Sequence, residues 1–123
     1  MLVTVSGANK KVTDLTESLI HYCARKLKIK DSVVIDVEFS KTLYKEDGIL
    51  GEVDFDDNNH RPKEFTITVD STGSKRKMME TIAHEMVHVK QQARGEMQPM
   101  LAAMEAEAYE KQEILLERWK YDK

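Results

Sequence analysis

The sequence predicts an α+β fold, in which one N-terminal helix and two C-terminal helices back a small sheet of three or four mostly antiparallel strands. Two observations predict this fold. Apolar residues recur at helical spacing along three long segments, and three shorter segments are rich in β-branched or alternating apolar residues. Because 123 residues is the size of one domain, we expect residues 1–123 to form a single domain.

The helices are indicated by their apolar stripes and by their ends. From about Lys11 to Leu27, the apolar residues fall within a narrow arc of a helical wheel. A second helix is predicted from about Lys75 to Arg94, since Gly95 suits the position after a helix C-terminus. A third helix is predicted from roughly Met100 to Tyr121.

The strands are predicted at residues 33–39, 49–55 and 65–69, with a further short one at residues 2–5. The segments 49–55 and 65–69 flank a turn-rich connection, which favours an antiparallel hairpin.

Two glycines lie near the start of one predicted strand of this hairpin. Gly48 and Gly51 would let another backbone approach residues 49–55, so this segment is a candidate edge strand that binds an extended peptide. A hairpin that merely tolerates glycine explains the same residues equally well.

The bulk composition excludes several classes of protein. Hydrophobic residues make up 41% of the chain, charged residues make up 33%, and the net charge of −3 gives no basic field for nucleic acid. No segment approaches the roughly 20 apolar residues of a membrane span, and the N-terminus lacks the pattern of a secretory signal. The single cysteine, Cys23, leaves no internal disulfide. We therefore expect a cytoplasmic location, or the host cytoplasm if a phage encodes the protein.

The second predicted helix contains the sequence His84-Glu85-Met86-Val87-His88. Residues four apart lie on one face of a helix, so His84 and His88 can bind a single zinc ion. Glu85 is one step round the helix, from where it can reach a water that the metal activates, and it is the predicted general base. Two histidines without a metal are the alternative.

A catalytic zinc site needs a third protein ligand. No histidine follows His88, so a carboxylate must supply it. Glu105 falls inside the apolar stripe of the third helix, where an unpaired carboxylate is costly, whereas Glu107 points nearly the other way. Glu105 is therefore the predicted ligand, and an acid in a salt bridge at the edge of the stripe is the alternative.

These residues give the chain a resemblance to the zincin peptidases, and within them to the gluzincin-like group. Glu105-Ala106-Glu107-Ala108 resembles the Glu-x-x-Ala sequence of ImmA/IrrE-type and HtpX-type peptidases, in which the first glutamate binds zinc. The resemblance covers about residues 65–119 and implies a minimal zincin-like fold, as in small peptidases of phages and bacteria. Tyr109 stands where these families often have an aspartate or asparagine that orients a zinc-bound histidine.

The sequence thus predicts a zinc-dependent metallopeptidase, an endopeptidase rather than an exopeptidase, that cleaves an intracellular protein or peptide. The partner is the peptide substrate, with neither nucleic acid nor membrane involved. Tyr109 and His60 are candidates for stabilising the oxyanion of the transition state, together with Tyr44 and Arg94. The rival hypothesis is a zinc-stabilised module that binds a protein without turnover.

Overall fold

The structure is a computed structural model that describes residues 1–55, 61–95 and 101–121, without the side chains of residues 101, 120 and 121. Four strands and four helices occur within these ranges. In chain order they are β1 (Leu2–Ser6), α1 (Lys10–Lys26), β2 (Val34–Ser40), α2 (Leu43–Asp47), β3 (Gly51–Phe55), β4 (Glu64–Asp70), α3 (Lys75–Ala93) and α4 (Leu101–Tyr121). The predicted α+β class is confirmed.

The strand order of the sheet is β1-β2-β4-β3. The predicted hairpin is confirmed, because β3 pairs antiparallel with β4. The prediction of a mostly antiparallel sheet is wrong, since β1 pairs parallel with β2 and β2 pairs parallel with β4. Helix α1 carries the chain back to the start of the sheet before β2, and such a crossover makes successive strands parallel. The strand β3 lies at one edge of the sheet, as predicted.

The helices begin and end close to their predicted positions. The Asn9 side chain accepts a hydrogen bond from the backbone N–H of Val12 at the start of α1, and Ser74 accepts one from Lys77 at the start of α3. Gly95 follows α3 with a φ of 69°, a left-handed conformation that favours glycine. The short helix α2 was not predicted, because its five residues are too few for a periodic pattern.

The core lies between the helices and one face of the sheet. Strands β2 and β4 contribute Ile35, Val37, Phe65, Ile67 and Val69, all at most 2% exposed. Helix α3 contacts β3 and β4 and also packs along α4. Helix α3 is thereby held between the sheet and α4, and the residues between the two helices have fixed positions.

Candidate metal centre

Three predicted ligands lie together between α3 and α4. His84 and His88 project from α3, Glu105 projects from α4, and their ligand atoms all lie within 4.8 Å of one another. Both histidine side chains are largely buried, at 12% and 16% exposed, whereas the Glu105 side chain is 44% exposed. This group could hold a metal ion with one side open to solvent.

The separations of the ligand atoms match a tetrahedral site in two cases out of three. Nε2 of His84 lies 3.3 Å from Nε2 of His88 and 3.3 Å from Oε1 of Glu105. Tetrahedral bonds of about 2.0–2.1 Å put ligand atoms about 3.3–3.4 Å apart. The distance from Nε2 of His88 to Oε1 of Glu105 is 2.5 Å, so this pair would have to separate around an ion.

The far side of the His88 ring is fixed by Gln91. Nε2 of Gln91 donates to the carbonyl oxygen of Met104 at 2.9 Å and to Oε1 of Glu107 at 2.8 Å, so the orientation of the amide is determined. Its Oε1 must then accept from Nδ1 of His88, which lies 2.7 Å away. With the ring proton on Nδ1, a neutral His88 presents the lone pair of Nε2 to the cluster.

The His84 ring has an equivalent partner on α4. Nδ1 of His84 lies 2.7 Å from Oε1 of Gln112, a buried residue seven positions after Glu105. Tyr109 occupies the position where the resembled families often have an orienting carboxylate or amide. Its ring instead packs edge-on against His84, with 4.6 Å between the ring centroids. The orienting role therefore falls to Gln112, one helical turn later on the same face of α4.

Three electron-pair donors converge on one point in this arrangement. With the ring proton of each histidine on Nδ1, the two Nε2 atoms and the carboxylate oxygen repel each other unless a positive charge lies between them. A proton can serve only one of these pairs, whereas a single metal ion binds all three. The residues present therefore fit a divalent cation, and the glutamines on the far side of each ring fit it too.

Glu107 supports this network but does not join it. Its carboxylate lies 2.7 Å from Nζ of Lys90 and 2.8 Å from Nζ of Lys111, and it also accepts from Gln91. Burial raises the pKa of Glu107, but the hydrogen bonds from Lys111, Lys90 and Gln91 outweigh it and lower the pKa to about 2. A permanently charged Glu107 thus holds Gln91 in place behind His88.

Glu85 is 6% exposed and lines a cavity into which the cluster of His84, His88 and Glu105 opens. Burial raises the pKa of Glu85 to about 7, with the neighbouring His88 ring opposing the shift and the carboxylates of Glu105 and Glu52 adding to it. A carboxyl group with a pKa near neutrality can both accept and release a proton at physiological pH.

The close approach of β3 to α3 depends on Gly51. A Cβ atom at this position would lie 2.4 Å from Cγ2 of Thr81 and 3.2 Å from Oε2 of Glu85. The nearest neighbours of that Cβ are side chains of α3, so Gly51 lets the strand pack against the helix beside Glu85. Whether residues 49–55 also bind an extended peptide stays a prediction.

The cavity beside the cluster has a volume of about 470 Å³. Of the candidates for stabilising an oxyanion, Tyr44 and Tyr109 line it. Arg94 lies elsewhere, donating from Nη2 to the carbonyl oxygen of Leu27 at 2.8 Å. His60 falls outside the described residues, so its candidate role stays a prediction.

Helix α2, which carries Tyr44 to the cavity, is anchored by Asp70. This buried carboxylate accepts hydrogen bonds from the backbone N–H of Tyr44 and from both the hydroxyl and the backbone N–H of Thr72. The hydroxyl of Thr72 lowers the pKa of Asp70 most, burial opposes it, and the two backbone N–H groups lower it further. The anion is thus the stable form of Asp70 in the folded protein.

Sequence reasoning missed the two glutamines. Neither Gln91 nor Gln112 is among the residues that the sequence singles out. A signal existed, because Gln112 lies within the stripe formed by Met104, Ala108, Leu115 and Trp119. A polar residue in a buried stripe needs a partner, and here that partner is a metal-ligand candidate.

No family model, curated protein or solved structure matches this chain. Among residues 1–55, 61–95 and 101–121, none of the helices combines the length and the apolar character that a bilayer crossing requires.

Proposed function

We propose that the protein is a zinc metallopeptidase that hydrolyses peptide bonds in a protein or peptide of the cytoplasm. His84, His88 and Glu105 would hold the ion, since two imidazoles and a carboxylate are a donor set that catalytic zinc sites use. When bound, zinc supplies a Lewis acid that polarises the substrate carbonyl and makes water more nucleophilic.

Glu85 would move the proton in this reaction. It accepts a proton from the water molecule as the water oxygen attacks the carbonyl carbon, and it passes that proton to the leaving amine when the C–N bond breaks. The walls of the cavity would hold the substrate, and the hydroxyl of Tyr109 or Tyr44 would stabilise the developing oxyanion.

One observation carries the proposal. The cluster of His84, His88 and Glu105 opens into a cavity that also contains a buried carboxyl group, Glu85, whose pKa is about 7. A purely structural zinc site usually has four protein ligands and needs no proton acceptor beside it. An open three-ligand group beside a proton acceptor is what hydrolysis requires.

The decisive test replaces Glu85 by glutamine, which keeps the shape of the side chain and removes its basicity. Zinc-loaded wild type and Glu85→Gln protein are incubated with a complex peptide mixture, and new peptide termini are identified by mass spectrometry. Glu110→Gln is the matched control, because Glu110 is an exposed acid on α4 outside the cavity. We expect new termini with wild type and with Glu110→Gln, and a loss of about 100-fold or more with Glu85→Gln.

Zinc content must be measured in the same samples. If Glu85→Gln binds zinc and cleaves as well as wild type, Glu85 is not the base. If none of the three proteins cleaves although all bind zinc, the rival hypothesis of a binding module without turnover replaces the peptidase.

The third ligand is tested separately by zinc affinity. Glu105→Ala removes a proposed ligand, so we expect it to weaken zinc binding far more than Glu107→Ala, which removes the partner of Gln91, Lys90 and Lys111 but no ligand. The reverse order would contradict the assignment of Glu105. Glu110→Ala on the exposed side of α4 should leave the zinc affinity unchanged.

A further inference from the structure

A second cavity lies at the other end of α3 and has a volume of about 320 Å³. It is bounded by the connection from α1 to β2, the start of β4 and the last turn of α3. Within the part of the chain that the structure describes, eleven residues line it, and six of them are cationic: Lys28, Lys30, Arg61, Lys63, Lys90 and Arg94. None of the eleven is acidic, although the chain as a whole has 22 acidic and 19 basic residues.

The walls of this cavity are tied together by the backbone. Arg94 donates from Nη2 to the carbonyl oxygen of Leu27 at 2.8 Å, which joins the end of α3 to the end of α1. The backbone N–H of Val34 donates to the carbonyl oxygen of Lys63 at 2.7 Å, which joins the starts of β2 and β4. The three cationic segments therefore converge because the fold holds them, not because of a chance arrangement of side chains.

Most of the positive charge has no compensating carboxylate among the described residues. Lys90 is 5% exposed and pairs with Glu107, so its charge is neutralised. Arg94 donates to a carbonyl group, which carries no net charge. Lys28, Lys30 and Lys63 form no ion pair within the described ranges. Four cations therefore lack a carboxylate partner among the described residues, namely Lys28, Lys30, Lys63 and Arg94. They surround a concave surface, which concentrates the electrostatic potential, and their like charges repel one another.

Stabilisation of a helix end explains only part of this pattern. Cations near the C-terminus of a helix interact favourably with its dipole, and Lys90 and Arg94 belong to the last turns of α3 or follow it directly. Lys28, Lys30 and Lys63 belong to other segments. Lys28 also adopts a φ of 57°, a left-handed conformation that is unfavourable for a residue other than glycine.

We propose that this cavity binds a small multivalent oxyanion, namely a free phosphate or sulfate ion or the phosphate group of a nucleotide. Such a group accepts several charge-assisted hydrogen bonds at once, including a forked pair from the guanidinium of an arginine. Its negative charge removes the repulsion between the lysines. The proposal is independent of catalysis, since the cavity and the metal centre share no lining residue.

The test uses the chain of residues 1–123 and sulfate, which binds zinc only weakly and so leaves the metal centre undisturbed. Backbone amide NMR spectra are recorded during a sulfate titration, with a chloride titration at matched ionic strength as reference. We expect saturable shifts at residues 28–33, 61–63 and 90–94 with sulfate only. The double variant Lys30→Glu and Lys63→Glu should weaken sulfate binding about tenfold or more, because it inverts two of the charges.

The matched control is Lys41→Glu with Lys45→Glu. These exposed lysines follow the carboxyl end of β2, opposite the end that borders the cavity, and the variant changes the net charge equally. We expect less than a twofold effect from it. Equal weakening by both variants, or sulfate shifts no larger than those of chloride, would overturn the proposal.

A second pair of titrations distinguishes the two sources of the anion. AMP is compared with sulfate, and adenosine serves as the reference for contacts that the base and sugar make alone. Tighter binding of AMP than of sulfate, with no binding of adenosine, indicates a nucleotide phosphate; equal affinities indicate a free ion.

Thermal denaturation checks that the double variant Lys30→Glu and Lys63→Glu is folded. If it is not, Lys30→Gln with Lys63→Gln replaces it, and we expect the sulfate affinity to fall about threefold or more.

Discussion

Replacing Gln91 by leucine would isolate the contribution of the residue behind His88. The side chain is fully buried and makes three hydrogen bonds, to Nδ1 of His88, to the carbonyl oxygen of Met104 and to Glu107. The two neutral bonds contribute about 1 kcal/mol each, and the bond to the carboxylate about 1.5–3 kcal/mol. Leucine has a similar size and regains about 1–2 kcal/mol through its apolar surface. The net loss of unfolding free energy is therefore about 1.5–4 kcal/mol.

The same change should weaken zinc binding. Without Gln91, Nδ1 of His88 has no acceptor, and the ring loses the contact that fixes its tautomer and its orientation. Loss of such a partner typically lowers metal affinity about 10–100-fold, which corresponds to about 1.4–2.8 kcal/mol. The affinity is measured by competition with a chromophoric chelator, and the unfolding free energy by urea denaturation in the presence of EDTA.

Gln92→Leu is the matched control. The neighbouring glutamine is half-buried, and its side chain makes no hydrogen bond within the described residues. We expect a change of at most about 0.5 kcal/mol in stability and no change in zinc affinity. A folded Gln91→Leu protein that binds zinc as tightly as wild type would refute the role assigned to this hydrogen-bond chain.

Three further predictions concern packing, pH and metal. Gly51→Ala forces a Cβ atom into Thr81 and should cost about 1–3 kcal/mol in urea denaturation, whereas Gly73→Ala, with no contact closer than 3.7 Å, should cost under about 1 kcal/mol; equal costs would contradict the packing argument. Asp70 has a lowered pKa in the folded protein, so its stabilisation is complete above the unfolded pKa of about 3.9 and is lost as the pH falls through the folded pKa. Asp70→Asn should therefore cost about 1–3 kcal/mol at pH 7 and progressively less below about pH 4, and a pH-independent cost would rule this out. Zinc at about a thousand times its Kd should add about 4 kcal/mol to the unfolding free energy, measured with and without EDTA; no difference would exclude tight binding to the folded state.

The cluster of His84, His88 and Glu105 was predictable because each part of it depends on local spacing. Two histidines four residues apart share a helix face in any helix, and the absence of a later histidine required a carboxylate. The stripe of α4 then favoured Glu105 over Glu107, and the structure brings Glu105 into the cluster while Glu107 pairs with two lysines. The catalytic role of Glu85 and the identity of the metal stay predictions.

The partners behind the ligands could not be predicted in the same way. Gln112 meets His84 across the α3–α4 interface, and Gln91, three residues after His88 on α3, is held across the same interface by Glu107. Which residues meet there depends on the rotation and the offset of the two helices. A helical wheel gives the buried face of one helix but not its alignment with a neighbour. The same holds for Gly51, whose role depends on how closely β3 approaches α3.

The sequence by itself determined the three long helices, the strands, the β3–β4 hairpin and the face of each long helix that is buried, because these follow from the 3.6- and 2-residue periods of a local chain. Only the tertiary structure decided the parallel pairings of β2, the contact of Gln112 with His84, and the convergence of lysines and arginines at the C-terminal end of α3. Those features join segments that are distant in the chain. Their contacts depend on how the whole core packs, and a pattern within one short segment of the sequence cannot predict them.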